Sequence, residues 1–251
     1  MGKRSVLVTR PAGQAEALGQ ALERAGFSVS YAPLLAIEPF TTLTPQQDAL
    51  LRSLDRVQHL IFVSQNAIRC ALPWIESVWS ELPAGLTCYT VGNASAEALA
   101  VHGINAATPE SDMTSEGLLA LPTLRQVAGD RVVIIKGEGG RTRLRDELLE
   151  RGAQVDELAV YQRVVPDYAP DALATQLTRD AIDCILVSSG EGFDNMMLLL
   201  GESGFAQAQA LTLVVPGKRV ADIARSAGFE AVVVADNATD DAMLSALVQQ
   251  L

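Results

Sequence analysis

Short apolar runs alternate with longer amphipathic segments along the chain. The run Val6–Val8 leads through a polar loop into a segment in which Leu18 and Leu22 are spaced as on one helix face. This segment ends at Gly26, where a helix C-cap commonly needs a positive φ, and a second apolar run follows. Strands that alternate with helices in this way predict an α/β fold in which parallel sheets are flanked by helices.

The same pattern occurs a second time. After the run Val132–Ile135 come Leu144 and Leu148, and the helical segment ends at Gly152, the counterpart of Gly26. Three further pairs of segments match at nearly the same offset: Ile61–Ser64 with Ile185–Ser188, Val91–Ala96 with Pro216–Ala221, and Ser111–Thr114 with Asp236–Thr239. A duplication of this kind predicts two similar lobes, each a parallel sheet flanked by helices.

Two proline-containing segments, near residues 36–45 and 162–170, mark where the chain could pass between the lobes. The sequence leaves open whether the first lobe is residues 1–124 or residues 1–37 joined to the C-terminal part. Because two linkers suit a chain that crosses twice, we favour the second arrangement. It gives a discontinuous first domain, 1–37 plus 166–251, and a second domain, 40–163.

Composition narrows the classes of partner. The chain of 251 residues has a formal net charge of −11, which argues against general binding to nucleic acid or to an anionic membrane surface. It does not argue against a small anionic ligand held in a local basic cleft. We expect a monomer with a small-molecule substrate and neither a nucleic-acid nor a membrane partner.

The termini and cysteines bear on localisation. No apolar stretch of signal-peptide or membrane-span type is present, so the predicted location is cytoplasmic. Cys70, Cys88 and Cys184 form no CxxC motif, and free thiols fit a reducing compartment. Cys88 and Cys184 lie in strand-like apolar runs and are predicted to pack in the core.

Loops that follow strands are the candidate ligand sites, because ligands of open parallel sheets bind beyond the carboxyl ends of the strands. Glycine allows close approach of a backbone amide, and a helix N-terminus favours an anion by about 0.3–1 kcal/mol. The alternative is structural, since Ser and Asn are ordinary N-caps and glycine is an ordinary turn residue. The candidate substrate-binding residues are Thr9, Arg10, Ser64, Asn66, Gly92, Asn93, Ala94, Ser95, Lys136, Gly137, Ser188, Ser189, Gly217, Lys218 and Arg219.

Tyr161 is the candidate catalytic residue. It ends a predicted strand just before a linker, so its side chain could point into a cleft between the lobes. A tyrosine hydroxyl is protonated at neutral pH and can donate a proton or a hydrogen bond. The alternative is an aromatic side chain packed against the linker.

Other chemistries find little support. The loop from Lys136 to Arg141 fits neither the dinucleotide fingerprint nor the P-loop. The two histidines, His59 and His102, lack an acidic pair at metal-ligand spacing, and no nucleophile elbow is present. The residues therefore predict no metal site and give no sign of a nicotinamide or flavin enzyme. Three arginines are predicted to form a solvated helix face, with one of them able to reach a cleft: Arg141, Arg143 and Arg145.

Four segments resemble those of uroporphyrinogen-III synthases, in the same order over essentially the whole chain. They are Val8–Pro11, Phe62–Ala67, Val91–Ala96 and Leu158–Tyr161. The resemblance implies a swapped two-domain fold and a cofactor-free lyase. The implied substrate is hydroxymethylbilane, a linear tetrapyrrole with several carboxylates, which loses water and closes through a spiro intermediate with its last pyrrole inverted. The ring formed serves haem, sirohaem and cobalamin synthesis. The tyrosine matching Tyr161 is implied to assist loss of the hydroxyl.

One position departs from the pattern of the resembling proteins, and two alternative functions remain open. The resembling proteins often have threonine where this chain has Val220, and Lys218 and Arg219 are hypothesised to compensate. A non-enzymatic two-lobed binder of a small anion would bind without turnover. A phosphate-sugar enzyme would be inhibited by phosphate and would need a metal.

Overall fold

The computed structural model describes residues 3–250, apart from the side chain of Ser203. The described residues fall into two compact units: residues 3–36 with 164–250, and Ile37–Arg163. We propose that the predicted domains, 1–37 plus 166–251 and 40–163, correspond to these units and fold separately.

Strands and helices alternate through both units, as the hydrophobic pattern predicts. The strands are β1 (Ser5–Val8), β2 (Ser28–Tyr31), β3 (Ala36–Pro39), β4 (His59–Phe62), β5 (Thr87–Thr90), β6 (Ala106–Ala107), β7 (Arg131–Gly137), β8 (Gln154–Val164), β9 (Cys184–Leu186), β10 (Thr212–Val215) and β11 (Val232–Val234). The helices are α1 (Glu16–Arg24), α2 (Pro45–Arg52), α3 (Gln65–Val78), α4 (Asn93–Ala100), α5 (Ser115–Leu119), α6 (Pro122–Arg125), α7 (Arg143–Glu150), α8 (Ala172–Arg179), α9 (Gly190–Gln209), α10 (Lys218–Ser226) and α11 (Asp240–Val248). A 3₁₀ turn covers Leu54–Arg56, and α9 is broken at Gly201, whose φ of 58° is not helical.

The first unit contains a parallel sheet with the strand order β11-β10-β9-β1-β2. Alternate residues of a strand face opposite sides of the sheet. Leu7 and Ile185 accordingly pack in one apolar core, while Val6 and Leu186 pack in another. A sheet covered on both faces needs strands that are apolar throughout, which is why the runs show little alternation.

The second unit contains a sheet with the order β3-β8-β7-β4-β5-β6. The pairs from β8 to β6 are parallel. At the other edge, Phe40 N donates to Val160 O and Gln162 Nε2 donates to Glu38, so β3 runs opposite to β8 and the sheet is mixed. This edge differs from the predicted parallel sheet. Pro39 indicated a linker, yet proline is tolerated in an edge strand, where its missing N–H is not needed.

The duplication is confirmed strand by strand. When β3 is left aside, the order β2-β1-β9-β10-β11 of the first sheet corresponds to β8-β7-β4-β5-β6 of the second. The paired glycines Gly26 and Gly152 have φ values of 95° and 86°, as their predicted C-cap positions require. Thr114 and Thr239, in the matched polar turns, cap α5 and α11. The α/β class and the two similar lobes therefore follow from the sequence.

Candidate active site

Each sheet has one pair of neighbouring strands after which the chain continues toward opposite edges of the sheet. The pair is β1 and β9 in the first sheet and β7 and β4 in the second. Ligands of open α/β sheets bind beyond the carboxyl ends of the strands at such a switch point. The candidate residues Thr9, Ser188, Ser64 and Lys136 lie at or next to these strand ends.

A cavity of about 170 Å³ lies at the carboxyl ends of β7 and β8, within the second unit. Its apolar lining is Val63, Ile134 and Leu144. Its other lining residues are Ser115, Lys136, Gly137, Gly139, Gly140, Arg141, Tyr161 and Arg163. Apolar walls with a few cationic and backbone groups suit a flat ring that carries carboxylates. The structure thus brings Lys136, Gly137 and Tyr161 of the predicted set together.

Tyr161 reaches this cavity through an irregularity in the strand pairing. Lys136 pairs with Ala159 and Gly137 pairs with Tyr161, so Val160 has no residue opposite it. A bulge of this kind redirects the side chains that follow it. The Tyr161 side chain is buried in the core of the unit and also lines the cavity, so it does not merely pack against a linker.

Ser64 connects Tyr161 to the start of α3. Its Oγ accepts a hydrogen bond from the backbone N–H of Ala67 at 3.1 Å, which makes it an N-cap, and lies 3.4 Å from Tyr161 Oη. When the Ser64 hydroxyl donates to Tyr161, the phenol keeps its own proton for a ligand. The structural and the functional interpretations of Ser64 are therefore compatible.

The cations around the cavity differ in their partners. Lys136 Nζ donates to Glu157 Oε1 at 2.8 Å, and Arg145 lies 3.6 Å from the other oxygen of Glu157. The charge of Lys136 is therefore largely balanced within the protein. Arg141 precedes α7, is exposed and lines the cavity.

Two of the three arginines that were predicted to form a solvated helix face, Arg143 and Arg145, lie on α7. Arg143 pairs with Glu147 at 3.5 Å, and Arg145 pairs with Asp146 at 2.8 Å. The Thr142 hydroxyl and the Arg145 guanidinium hold the pKa of Asp146 below its usual range. Arg141, by contrast, belongs to the cavity.

The loop before α4 also lies at the carboxyl edge of the second sheet. Gln65 Nε2 donates to Ala94 O at 3.0 Å and thereby ties this loop to the start of α3. Asn93 and Ala94 are exposed, whereas Ser95 is buried. Gly92 has an extended backbone and precedes the first turn of α4. Asn66, in the first turn of α3, accepts from Arg69 at 3.5 Å.

In the first unit, Thr9 and Arg10 are engaged internally. Thr9 is buried and its hydroxyl donates to Leu186 O at 2.7 Å. Arg10 pairs with Asp240 at the start of α11 and donates to Ala238 O. These contacts favour the structural interpretation for both residues.

The remaining loops of the first unit converge through one side chain. Ser189 caps α9 by accepting from Gly192 N at 2.9 Å, and Ser188 beside it is half-buried. Lys218 is exposed and pairs with Asp222 at 2.6 Å. Arg219 lies in the first turn of α10, just after Gly217, and its guanidinium extends to Gly190, where an added Cβ would lie 2.9 Å from Nη2 of Arg219.

Two polar cavity residues, Ser115 and Arg163, were missed by the sequence reasoning. Gly139 and Gly140, which also line the cavity, lie in a candidate loop that follows a strand, and they have φ values of 67° and 84°. Arg163 was assigned to a linker, although β8 continues to Val164. The available signal was the pair Val164 and Val165, two β-branched residues that follow Arg163.

The structure bears on three further expectations. Cys88 and Cys184 are buried, and burial raises the pKa of each thiol to about 12, which confirms their core role. Among residues 3–250, no cluster of three or more His, Cys, Asp or Glu side chains could hold a metal ion. No helix within these residues is both long and apolar enough to cross a membrane.

Comparison with known proteins identifies the family. A family model described as uroporphyrinogen-III synthase HemD matches residues 16–245, which is most of the chain. The chain belongs to the uroporphyrinogen-III synthase family. The uroporphyrinogen-III synthase of Escherichia coli (strain K12) is 33% identical over 249 residues, 97% of this chain and 99% of that protein.

Solved structures of uroporphyrinogen-III synthases share the fold. A mutant enzyme from Thermus thermophilus gives a TM-score of 0.61 at 21% identity, over 98% of each chain. The Helicobacter pylori 26695 protein gives 0.64 at 13% identity, over 99% of this chain and 100% of that one. At these identities the likeness shows the fold alone.

Family membership confirms the resemblance that the sequence predicts and the enzyme class. The chain is an enzyme of the uroporphyrinogen-III synthase family, a lyase of tetrapyrrole biosynthesis. Val220, the position at which the sequence predicts a departure from the family, lies in the core, where the side chain is 4% exposed. Valine has no hydroxyl to offer a ligand, and Lys218, one of the two residues hypothesised to compensate, pairs with Asp222.

Proposed function

We propose that this chain converts hydroxymethylbilane to uroporphyrinogen III, and that the cavity at the ends of β7 and β8 holds the reacting end of the substrate. The observation that carries the proposal is the placement of Tyr161 and Arg141 in one cavity at the switch point of the second sheet. Family membership supplies the reaction, and this cavity supplies groups that suit it.

Substrate carboxylates would be held by cations and by backbone amides together. Arg141 offers a planar set of donors that matches a carboxylate, and the glycines at 139 and 140 let backbone groups come close. Lys136 contributes less, since Glu157 already balances it. Such a local basic site is compatible with the strongly negative charge of the whole chain.

Loss of water is the step that Tyr161 would assist. The pyrrole nitrogen of the terminal ring pushes its electron pair toward the hydroxymethyl carbon, and the carbon–oxygen bond breaks. The leaving hydroxyl takes a proton from Tyr161 Oη and departs as water. Ser64 holds Oη by a hydrogen bond, and solvent restores the phenol proton. Because the substrate supplies the electron push, the tyrosine assists the step but the step does not depend on it alone.

The protein's larger task would be orientation. Simple head-to-tail closure of the chain of pyrroles gives the type I ring, whereas attack at the substituted carbon of the last pyrrole gives the spiro intermediate and then the type III ring. A fixed position for the terminal ring favours the second path by selecting one reactive geometry. Apolar walls and anchored carboxylates are the means that this cavity offers.

The remaining expectations stay proposals. We infer a monomer that acts in the cytoplasm without cofactor, nucleic acid or membrane partner; the net charge of −11 supports the last two. Light scattering of the purified protein tests the monomer.

The product isomer tests the function. The protein is mixed with freshly generated hydroxymethylbilane, without metal or cofactor, and the oxidised products are separated by chromatography. Dominant type III product is expected. Only type I, from protein with a cooperative unfolding transition, would overturn the proposal and favour an anion binder.

A further inference from the structure

Because Gly137 has no side chain, the Tyr161 ring can occupy the space next to its Cα. A Cβ built on Gly137 would lie 2.5 Å from Cε2, 2.6 Å from Cζ and 3.0 Å from Oη of Tyr161. Carbon atoms in favourable contact are about 3.5–4.0 Å apart. Any side chain at this position would therefore displace the ring by roughly 1 Å.

The backbone at Gly137 does not itself require glycine. Gly139 and Gly140, in the same loop, have positive φ values, but Gly137 does not, and it ends strand β7. Alanine would therefore suit the backbone conformation at 137. The ring of Tyr161 is what an added methyl group would meet.

The other contacts of the ring fix where its hydroxyl lies. The bulge at Val160 turns Tyr161 toward Gly137, and Ser64 Oγ lies 3.4 Å from Oη. The ring is 4% exposed, so it has little room to take another position. A small displacement at Gly137 thus moves the hydroxyl relative to the cavity.

The first unit, which repeats the fold of the second, lacks this arrangement of a glycine beside an aromatic ring. At the offset that relates Gly152 to Gly26, Gly137 corresponds to Pro11 and Tyr161 to Leu35. The first sheet forms without a glycine and an aromatic ring at these places. The pair is therefore not a requirement of the shared fold.

We propose that Gly137 is a positioning residue, which keeps the Tyr161 hydroxyl in place by leaving room for its ring. This inference rests on the proposed function, in which Tyr161 assists loss of the substrate hydroxyl. Gly137 acts through the ring and need not touch the substrate.

The test compares Gly137→Ala in three backgrounds: Tyr161, Tyr161→Phe and Tyr161→Ala. With Tyr161 present, G137A is expected to lower kcat about tenfold or more and to change KM less than about threefold, since a shift of 1 Å is costly in a reacting group. In the Phe background the hydroxyl is already gone, so G137A should lower kcat no further.

Urea unfolding provides the readout that needs no turnover. The Phe ring meets the added methyl group as Tyr does, whereas the Ala background leaves room for it. G137A should therefore lower the unfolding midpoint with Tyr or Phe at 161 and much less with Ala. The proposal would be overturned if G137A lowered the unfolding midpoint equally in all three backgrounds, or if G137A with Tyr161 kept full kcat.

Failure of the proposed function gives a different result. Wild-type protein that forms no type III product overturns that function whatever the urea midpoints are. A wild type that does form it, combined with full kcat for Y161F, overturns the positioning role, because no hydroxyl then needs to be held.

Discussion

The hydroxyl of Tyr161 lies 3.4 Å from the Oγ of Ser64, which also caps α3. One strand-end aromatic and one helix cap thus meet at the switch point of the second sheet. Neither residue is unusual by itself. Their meeting places a proton donor beside a cavity that also contains Arg141.

Replacement of Tyr161 by Phe is expected to lower kcat by about 10- to 100-fold, at or below the lower end of what general acids contribute, because the substrate itself supplies the electron push. KM should stay within about threefold, because the ring still lines the cavity. Steady-state kinetics with hydroxymethylbilane measure both. A Y161F enzyme with unchanged kcat would remove Tyr161 from the mechanism.

Ser64→Ala provides the contrast to that substitution. It removes the N-cap of α3 and should lower the free energy of unfolding by about 1 kcal/mol. Y161F leaves this cap in place, so it should not cause that loss. Denaturant titration measures the difference.

The sequence predicts that Arg10 binds substrate, but the ion pair of Arg10 with Asp240 predicts a structural role for it. Arg10→Gln should lower the free energy of unfolding by about 1–3 kcal/mol, because Asp240 and Ala238 O lose a charged donor. Lys218→Gln, at an exposed pair, should cost less than about 0.5 kcal/mol. If R10Q instead unfolds like wild type and its KM for hydroxymethylbilane rises, Arg10 binds substrate.

Burial predicts that two thiols of the native protein are inert. With the pKa of Cys88 and of Cys184 raised to about 12, only about one thiol in 10,000 is ionised at pH 8. A thiol reagent should label these residues slowly in the native protein and rapidly in denaturant. Rapid native labelling of either position, located by mass spectrometry, would contradict the buried placement.

Much of the fold could be predicted because the duplicated sequence shows the same order of strands, helices and helix-ending glycines twice. Gly26 and Gly152 end matched helices, and both take the positive φ that their position indicates. The edge strand β3 was not predictable from local pattern, because Pro39 marks a linker and an edge strand equally well.

Less of the site could be predicted, because a strand end shows which residues are near an edge but not their partners. Lys136 and Arg10 both follow a strand, yet Glu157 and Asp240 engage them from other elements. Such ion pairs depend on the tertiary fold and leave no local signal. Arg163 was missed for a simpler reason, since β8 runs past the residue at which the sequence analysis ends the strand.

The central claim is that the cavity at the ends of β7 and β8 binds the substrate, and a matched pair of arginines tests it most directly. Arg141 lines the cavity, while Arg143, two residues later on α7, pairs with Glu147 outside it. KM for hydroxymethylbilane and the type III fraction of the product are measured for R141A and R143A. Loss of one charged hydrogen bond predicts that KM rises about 10-fold or more for R141A and less than about twofold for R143A. Equal KM values for the two variants would contradict the claim.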